Sequence, residues 1–314
     1  MAASTPAAGS PARPTGQRAQ PALPAGAIPA LDYGGSGSPL HFLHANGYPP
    51  ACYRPLIGRL TASHHVVGML LRPLWLEADP GAILDWRPFS EDLRRYLGQQ
   101  QLGPVVGMGH SIGAVVTLRA ALQQPGLFRA LILIDPVLLP PRHILQLRIV
   151  RALGMPDRLN TRIEATLRRR RHFDDLEQLF LGYRRREIFR FLTDERLRVL
   201  IEGITRPGDQ GGYDLAFSPE WEARIYQTAI WNDRDIWNGL PGLRTPALII
   251  RGSHTDTFWS QTARLVEKRN PHVRTVTVLN ASHLVPLERP DDVAHETEEF
   301  LGGLTSGAQT SAGS

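Results

Sequence analysis

Short apolar runs without polar alternation recur along the chain, at His41–His44, His65–Leu71, Pro104–Met108, Ala130–Ile134, Ala247–Arg251 and Val273–Leu279. Runs of this length with no polar face fit strands of a parallel sheet covered on both sides. Stretches with helical spacing separate most of them, at Phe89–Gln100, Ile112–Gln123 and Trp259–Lys268. Strand alternating with helix predicts an α/β fold built on a doubly wound, mostly parallel sheet.

Between Val137 and Trp231 the rhythm breaks. This stretch has no convincing strand and reads as amphipathic helices, with breaks at Gly154–Met155–Pro156, Arg206–Pro207–Gly208 and Gly211–Gly212. The α/β pattern resumes after it. The expected organisation is therefore a core of residues 31–136 and 232–302 with a helical cap, 137–231, inserted between its halves. Residues 1–30, rich in Ala, Pro, Gly and Ser, and the polar residues 303–314 are expected to be disordered tails.

Composition narrows the class. With 314 residues, 42% apolar and 21% charged, the chain suits one large domain with an insertion, or two domains. Its lone cysteine, Cys52, excludes an intrachain disulfide and a paired-cysteine metal site. No apolar stretch is long enough for a membrane-spanning helix, and no basic segment leads into an apolar signal core. A cytoplasmic protein is expected, and the near-complete use of Arg over Lys hints at a bacterial genome. Net charge is +5, but residues 142–206 alone hold 16 Arg against 9 acidic residues. Leu, Ile and Phe are interleaved there at helical spacing, so a solvated Arg-rich cap face is expected rather than a nucleic-acid surface. The runs Arg168–Arg171 and Arg184–Arg186 offer attraction for an anionic substrate as the competing reading.

The chemistry is concentrated in Gly109-His110-Ser111-Ile112-Gly113. This GxSxG directly follows a buried strand and opens a helix, the context a nucleophile elbow requires. A serine hydroxyl needs a base. His283 follows the last strand and lies in a loop on the same sheet edge as the elbow. The base in turn needs a carboxylate to fix its tautomer. Asp256, after strand Ala247–Arg251, is the expected acid, and Asp135, ending strand Ala130–Ile134, is the alternative. The oxyanion donors expected are the backbone N–H of Ile112 and one from His44-Ala45-Asn46-Gly47-Tyr48-Pro49, with Asn46 and Tyr48 both open as the source. His44, Trp75 and Phe258, with Tyr48 and Trp86, are candidate pocket residues. His64-His65 lacks a third ligand at useful spacing, so no metal is expected.

These motifs together, HANGYP, GHSIG, the Asp256 loop and SHLVPLERP, resemble the α/β-hydrolase-fold serine hydrolases with a helical cap, over about residues 31–302. The resemblance implies the α/β-hydrolase fold and the chain order Ser111, Asp256, His283, with no cofactor. Two departures stand out. The oxyanion loop is longer than the family's usual His-Gly-x-Pro, and Leu71-Arg72-Pro73-Leu74-Trp75 replaces a common Asp-x-Arg-Gly-x-Gly segment. The expected activity is hydrolysis of an ester-type bond in a small apolar substrate through an acyl-enzyme. Carbon–carbon bond hydrolysis by the same triad, and a slow-turnover ligand receptor on a hydrolase scaffold, are the alternatives. The expected partner is a small molecule, with neither nucleic acid nor membrane, and the oligomeric state is not read.

Overall fold

A computed structural model describes residues 27–154, 158–229 and 233–311. Strands β1 (Ala30–Gly34), β2 (Ser38–Leu43), β3 (His64–Met69), β4 (Val105–His110) and β5 (Phe128–Ile134) come first. Strands β6 (His172–Phe173), β7 (Thr205–Pro207) and β8 (Tyr213–Leu215) follow within the region expected to be helical, and β9 (Ala247–Gly252) and β10 (Val273–Val278) come last. The main sheet has the order β1-β3-β2-β4-β5-β9-β10. β1 runs antiparallel to β3, and the other neighbours are parallel.

The six apolar runs thus become the six parallel strands. Successive residues on a strand point to opposite faces, and both faces are covered. Leu131, Leu133 and Ile249 join a cluster with Phe89, Leu93, Val115 and Leu118. Ile132, Ile134 and Ile250 join one with Leu56, Leu60, Val293 and Leu301. Each side chain of this size removed from water contributes about 1.5–3 kcal/mol, which is why these runs carry no polar alternation.

Four expectations change. β1 escaped notice because ALDYG is a half-exposed edge strand with no apolar run. Strands β6, β7 and β8 form a small antiparallel sheet inside the region read as all-helical; at two or three residues each they are too short to show a period of two. The helix Pro290–Ser311 continues through most of the segment expected to be a disordered tail. The expected N-terminal tail lies outside the described residues up to position 26, and Ala30 already belongs to β1. The predicted break at 154–156 falls partly on residues 155–157, and the predicted cap end on 230–232, both outside the described residues.

The layout positions a site. β4 lies fourth of the seven strands. The segments leaving the carboxyl ends of β2, β4, β5, β9 and β10 all emerge at one edge of the parallel sheet, where α/β folds bind ligands. They carry, respectively, the His44–Tyr48 loop, Ser111, Asp135, Ser253–Trp259 and Asn280–His283.

Candidate active site

Ser111 sits between β4 and the helix Ile112–Gln123 with φ 57° and ψ −117°. For a non-glycine residue this backbone costs about 1–3 kcal/mol, and it turns the hydroxyl out of the sheet. Two glycines make the turn possible. A Cβ on Gly109 would lie 2.4 Å from the carbonyl group of Gly113, and a Cβ on Gly113 would lie 2.3 Å from the carbonyl oxygen of Leu43. The second approach seats the helix N-terminus directly against the loop after β2. The N–H of Ser111 donates to Ile134 O (2.9 Å), tying the elbow to β5.

His283 meets this serine. Its Nε2 lies 2.9 Å from Ser111 Oγ. Its Nδ1 lies 3.0 Å from Asp135 Oδ1 and 2.8 Å from Thr257 Oγ1. The Thr257 hydroxyl is itself 2.6 Å from Asp135 Oδ1, to which it donates. Asp135 is completely buried, and its other oxygen accepts the N–H of Gly252 at 2.9 Å. The Thr255 hydroxyl donates to it as well.

The structure therefore brings Asp135, not Asp256, to His283. Sheet order supplies the reason. β5 lies between β4 and β9, so Asp135, the residue after its end, emerges between the serine and the loop after β9. That loop contributes threonines to ligate Asp135, while its own Asp256 turns outward, with a side chain 54% exposed and paired with Arg162. Asp135 has φ 40°, a conformation that Asp tolerates better than most residues.

The oxyanion expectations divide. The Tyr48 N–H is engaged with Ala45 O at 3.4 Å, closing the loop's own turn, and the Ala45 N–H donates to Tyr53 Oη at 3.2 Å. The N–H groups of Ile112 and Asn46 have no hydrogen-bond partner among the described residues. Asn46 is fixed through its side chain, whose Nδ2 donates to Glu222 O (3.1 Å).

Two supporting elements were not foreseen. The first is a buried chain of hydrogen bonds. Because Ala45 N–H can only donate and His283 O can only accept, its sense is fixed: Ala45 N–H to Tyr53 Oη, Tyr53 O–H to His110 Nδ1 (2.7 Å), His110 Nε2–H to His283 O (2.8 Å). It spans from the loop after β2 to the base. Burial pushes the His110 imidazole well below its ordinary pKa, which keeps it neutral. The second is Glu288, fully buried, which accepts both the N–H and the hydroxyl of Ser282, each at 2.6 Å, and so fixes the turn before His283.

Of the expected pocket residues, Tyr48 lines a cavity and the others are engaged elsewhere. Both His44 nitrogens are used, Nδ1 toward Ala45 O and Nε2 accepting from Leu71 N, and burial lowers its pKa to about 4. Phe258 is fully buried core, and the indole N–H groups of Trp75 and Trp86 donate to backbone carbonyls. A cavity of about 250 Å³ lies instead against Gly47 and Tyr48, roofed by residues of the inserted region, Arg162, Arg169, Arg186, Tyr183, Glu222 and Tyr226 among them. None of His44, Trp75, Trp86 and Phe258 lines it.

A family model described as the alpha/beta hydrolase family matches residues 42–296. The chain belongs to the alpha/beta hydrolase family. Among curated relatives of this hydrolase, (E)-2-((N-methylformamido)methylene)succinate hydrolase of Acinetobacter baylyi is 20% identical over 272 residues, covering 85% of this chain and 91% of the relative. The 2-(acetamidomethylene)succinate hydrolase of Mesorhizobium japonicum is 24% identical over 269 residues, covering 85% and 89%. Among solved structures, an E-2-(acetamidomethylene)succinate hydrolase superposes with a TM-score of 0.71 at 21% identity, covering 87% of this hydrolase and 94% of that chain. An esterase of M. tuberculosis gives 0.68 at 21% identity, covering 89% and 90%. These structural likenesses concern the fold. Among the described residues of the hydrolase, no helix is long and apolar enough to cross a membrane.

Proposed function

We propose that this hydrolase cleaves an acyl bond through a covalent intermediate on Ser111. The observation that carries the reading is the continuous contact Ser111 Oγ, His283 Nε2, His283 Nδ1, Asp135 Oδ1. His283 takes the serine proton as Ser111 attacks the carbonyl carbon. Asp135, with Thr257 beside it, holds the imidazole in the tautomer that leaves Nε2 free to accept. The N–H groups of Ile112 and Asn46 stabilise the oxyanion, aided by the positive end of the helix Ile112–Gln123. His283 then protonates the leaving group and activates water to release the acid. The inserted region between β5 and β9 acts as the cap.

The bond is an ester or an amide. Esterases share the fold, and the curated relatives are named as hydrolases of amide-bearing succinates. The cavity wall is mixed: Arg162, Arg169, Arg186 and Glu222 bring charge, and Ala165, Ile188, Phe189 and Ile204 bring apolar surface.

Hydrolysis of 4-nitrophenyl acetate and of an N-acyl 4-nitroanilide tests the reading. Turnover by the native protein that is lost in Ser111→Ala and His283→Gln supports it. Equal rates in Ser111→Ala and the native protein contradict it.

A further inference from the structure

The cavity beneath the cap is lined by three guanidinium groups and one carboxylate. Two of the guanidiniums have carboxylate partners: Arg169 pairs with the buried Glu222 and also donates to Tyr183 Oη at 2.8 Å, and Arg162 pairs with Asp256. Arg186 differs. Its guanidinium lies 4.6 Å from the centroid of the Tyr183 ring and has no carboxylate partner among the described residues. Stacking on an aromatic face orients a guanidinium and leaves its N–H fork available for a planar anion.

Two phenols complete the lining. Tyr48 and Tyr226 both line the cavity, and neither hydroxyl has a hydrogen-bond partner among the described residues. Burial pushes both well above the ordinary phenol pKa, so both keep their protons and can donate. An unpaired cation and two unpartnered phenol donors favour an oxygen-rich anion beside them, while Ala165, Ile188, Phe189 and Ile204 give the rest of the wall an apolar character. Its volume of about 250 Å³ suits a small acid.

Ser111, Ile112 and His283 do not line the cavity, which reaches the loop after β2 directly and the loop after β9 through an ion pair. Its wall includes Gly47 and Tyr48, in the loop that offers the Asn46 N–H. Arg162, on another wall, pairs with Asp256, in the loop whose Thr255 and Thr257 ligate Asp135. A group seated there adjoins the loop after β2 and a guanidinium tied to the loop after β9.

We propose that this cavity holds a carboxylate of the substrate, with Arg186 supplying the charge and Tyr48 and Tyr226 donating hydrogen bonds. The assignment rests on the Ser111 reading for its place in catalysis, but not for its binding chemistry. The test therefore uses Ser111→Ala protein and reads binding without turnover. Succinate, glutarate and the neutral analogue succinamide are titrated calorimetrically into Ser111→Ala, and into the same protein carrying Arg186→Ala, Arg186→Lys or Tyr226→Phe.

The expected result is saturable binding of at least one dicarboxylate, none of succinamide, and a loss of about 10-fold or more with Arg186→Ala, as befits a charged hydrogen bond. Arg186→Lys recovers part of that loss, and Tyr226→Phe weakens binding several-fold. Absence of binding by both dicarboxylates at millimolar concentration overturns the proposal, as does binding that Arg186→Ala leaves unchanged. Failure here alongside Ser111-dependent ester turnover removes the anion site alone. Binding as expected without any turnover removes the Ser111 reading alone.

Discussion

His283 Nδ1 and Asp135 Oδ1 lie 3.0 Å apart across 148 positions of sequence. The contact forms because the strand that runs into Asp135 lies between the strand leading to Ser111 and the strand leading to Thr255 and Thr257. Asp135→Asn replaces an acceptor with an amide that also donates, which disfavours the required imidazole tautomer. A fall in kcat of about 10,000-fold is expected, as for the same change in other triads. Asp256→Asn breaks only a surface ion pair, worth about 0–1 kcal/mol, and stays within a few-fold of the native rate. Steady-state kinetics of the two variants separates the assignments, and the reverse pattern would restore Asp256.

Gly113→Ala places a methyl group 2.3 Å from the carbonyl oxygen of Leu43. The helix N-terminus and the loop after β2 must then part, carrying Ile112 N–H and Asn46 N–H away from each other. Loss of one oxyanion donor costs about 100- to 1,000-fold in rate, and a loss of that size in kcat is expected. Rates within a few-fold of native would show that these two N–H groups do not act together.

Tyr53→Phe removes the middle of the chain that joins the loop after β2 to His283. It leaves Ala45 N–H and His110 Nδ1 buried without a partner, at a cost of about 1–3 kcal/mol for each group. Denaturant unfolding should report the stability loss. A fall in kcat at unchanged KM would show that the chain positions His283 as well as supporting the fold, whereas native kinetics at reduced stability would confine it to structure.

His41 is fully buried, and its Nε2 accepts the N–H of Met69 at 3.0 Å. Burial lowers its pKa to about 3 from an ordinary 6.5. Below pH 6.5 the unfolded chain therefore binds a proton that the folded chain refuses, and folding loses up to about 1.4 kcal/mol per pH unit from this residue. Asp233, with its pKa raised to about 6 by burial, acts in the opposite sense below that pH, so the difference between variants is the informative quantity. Relative to native protein, His41→Gln should gain stability as pH falls from 6.5 toward 4, and the difference should be flat above pH 7. A difference independent of pH would mean that His41 is not held neutral.

Much of this was legible in the amino-acid sequence. The elbow could be read because its three parts are contiguous: an apolar run, GxSxG and a helical stretch. His283 could be read because it follows the last strand. The acid could not be chosen, since Asp135 and Asp256 both follow strands that end at the same edge. The choice depends on strand order and on the φ of 40° at Asp135, neither of which leaves a local pattern. Tyr53 and His110 lie 57 positions apart, so their bond has no sequence signature. The arginine runs showed the charge of the inserted region, but which guanidinium faces a cavity is decided by packing between its helices.

Acyl transfer by this route requires Ser111 to be an activated nucleophile. Treatment of the native protein with a fluorophosphonate, followed by peptide mass spectrometry, tests this most directly. One adduct on the peptide bearing Ser111 is expected, absent from His283→Gln and slowed strongly in Asp135→Asn. An unmodified Ser111 in the folded native protein, or labelling that His283→Gln leaves unchanged, would contradict it.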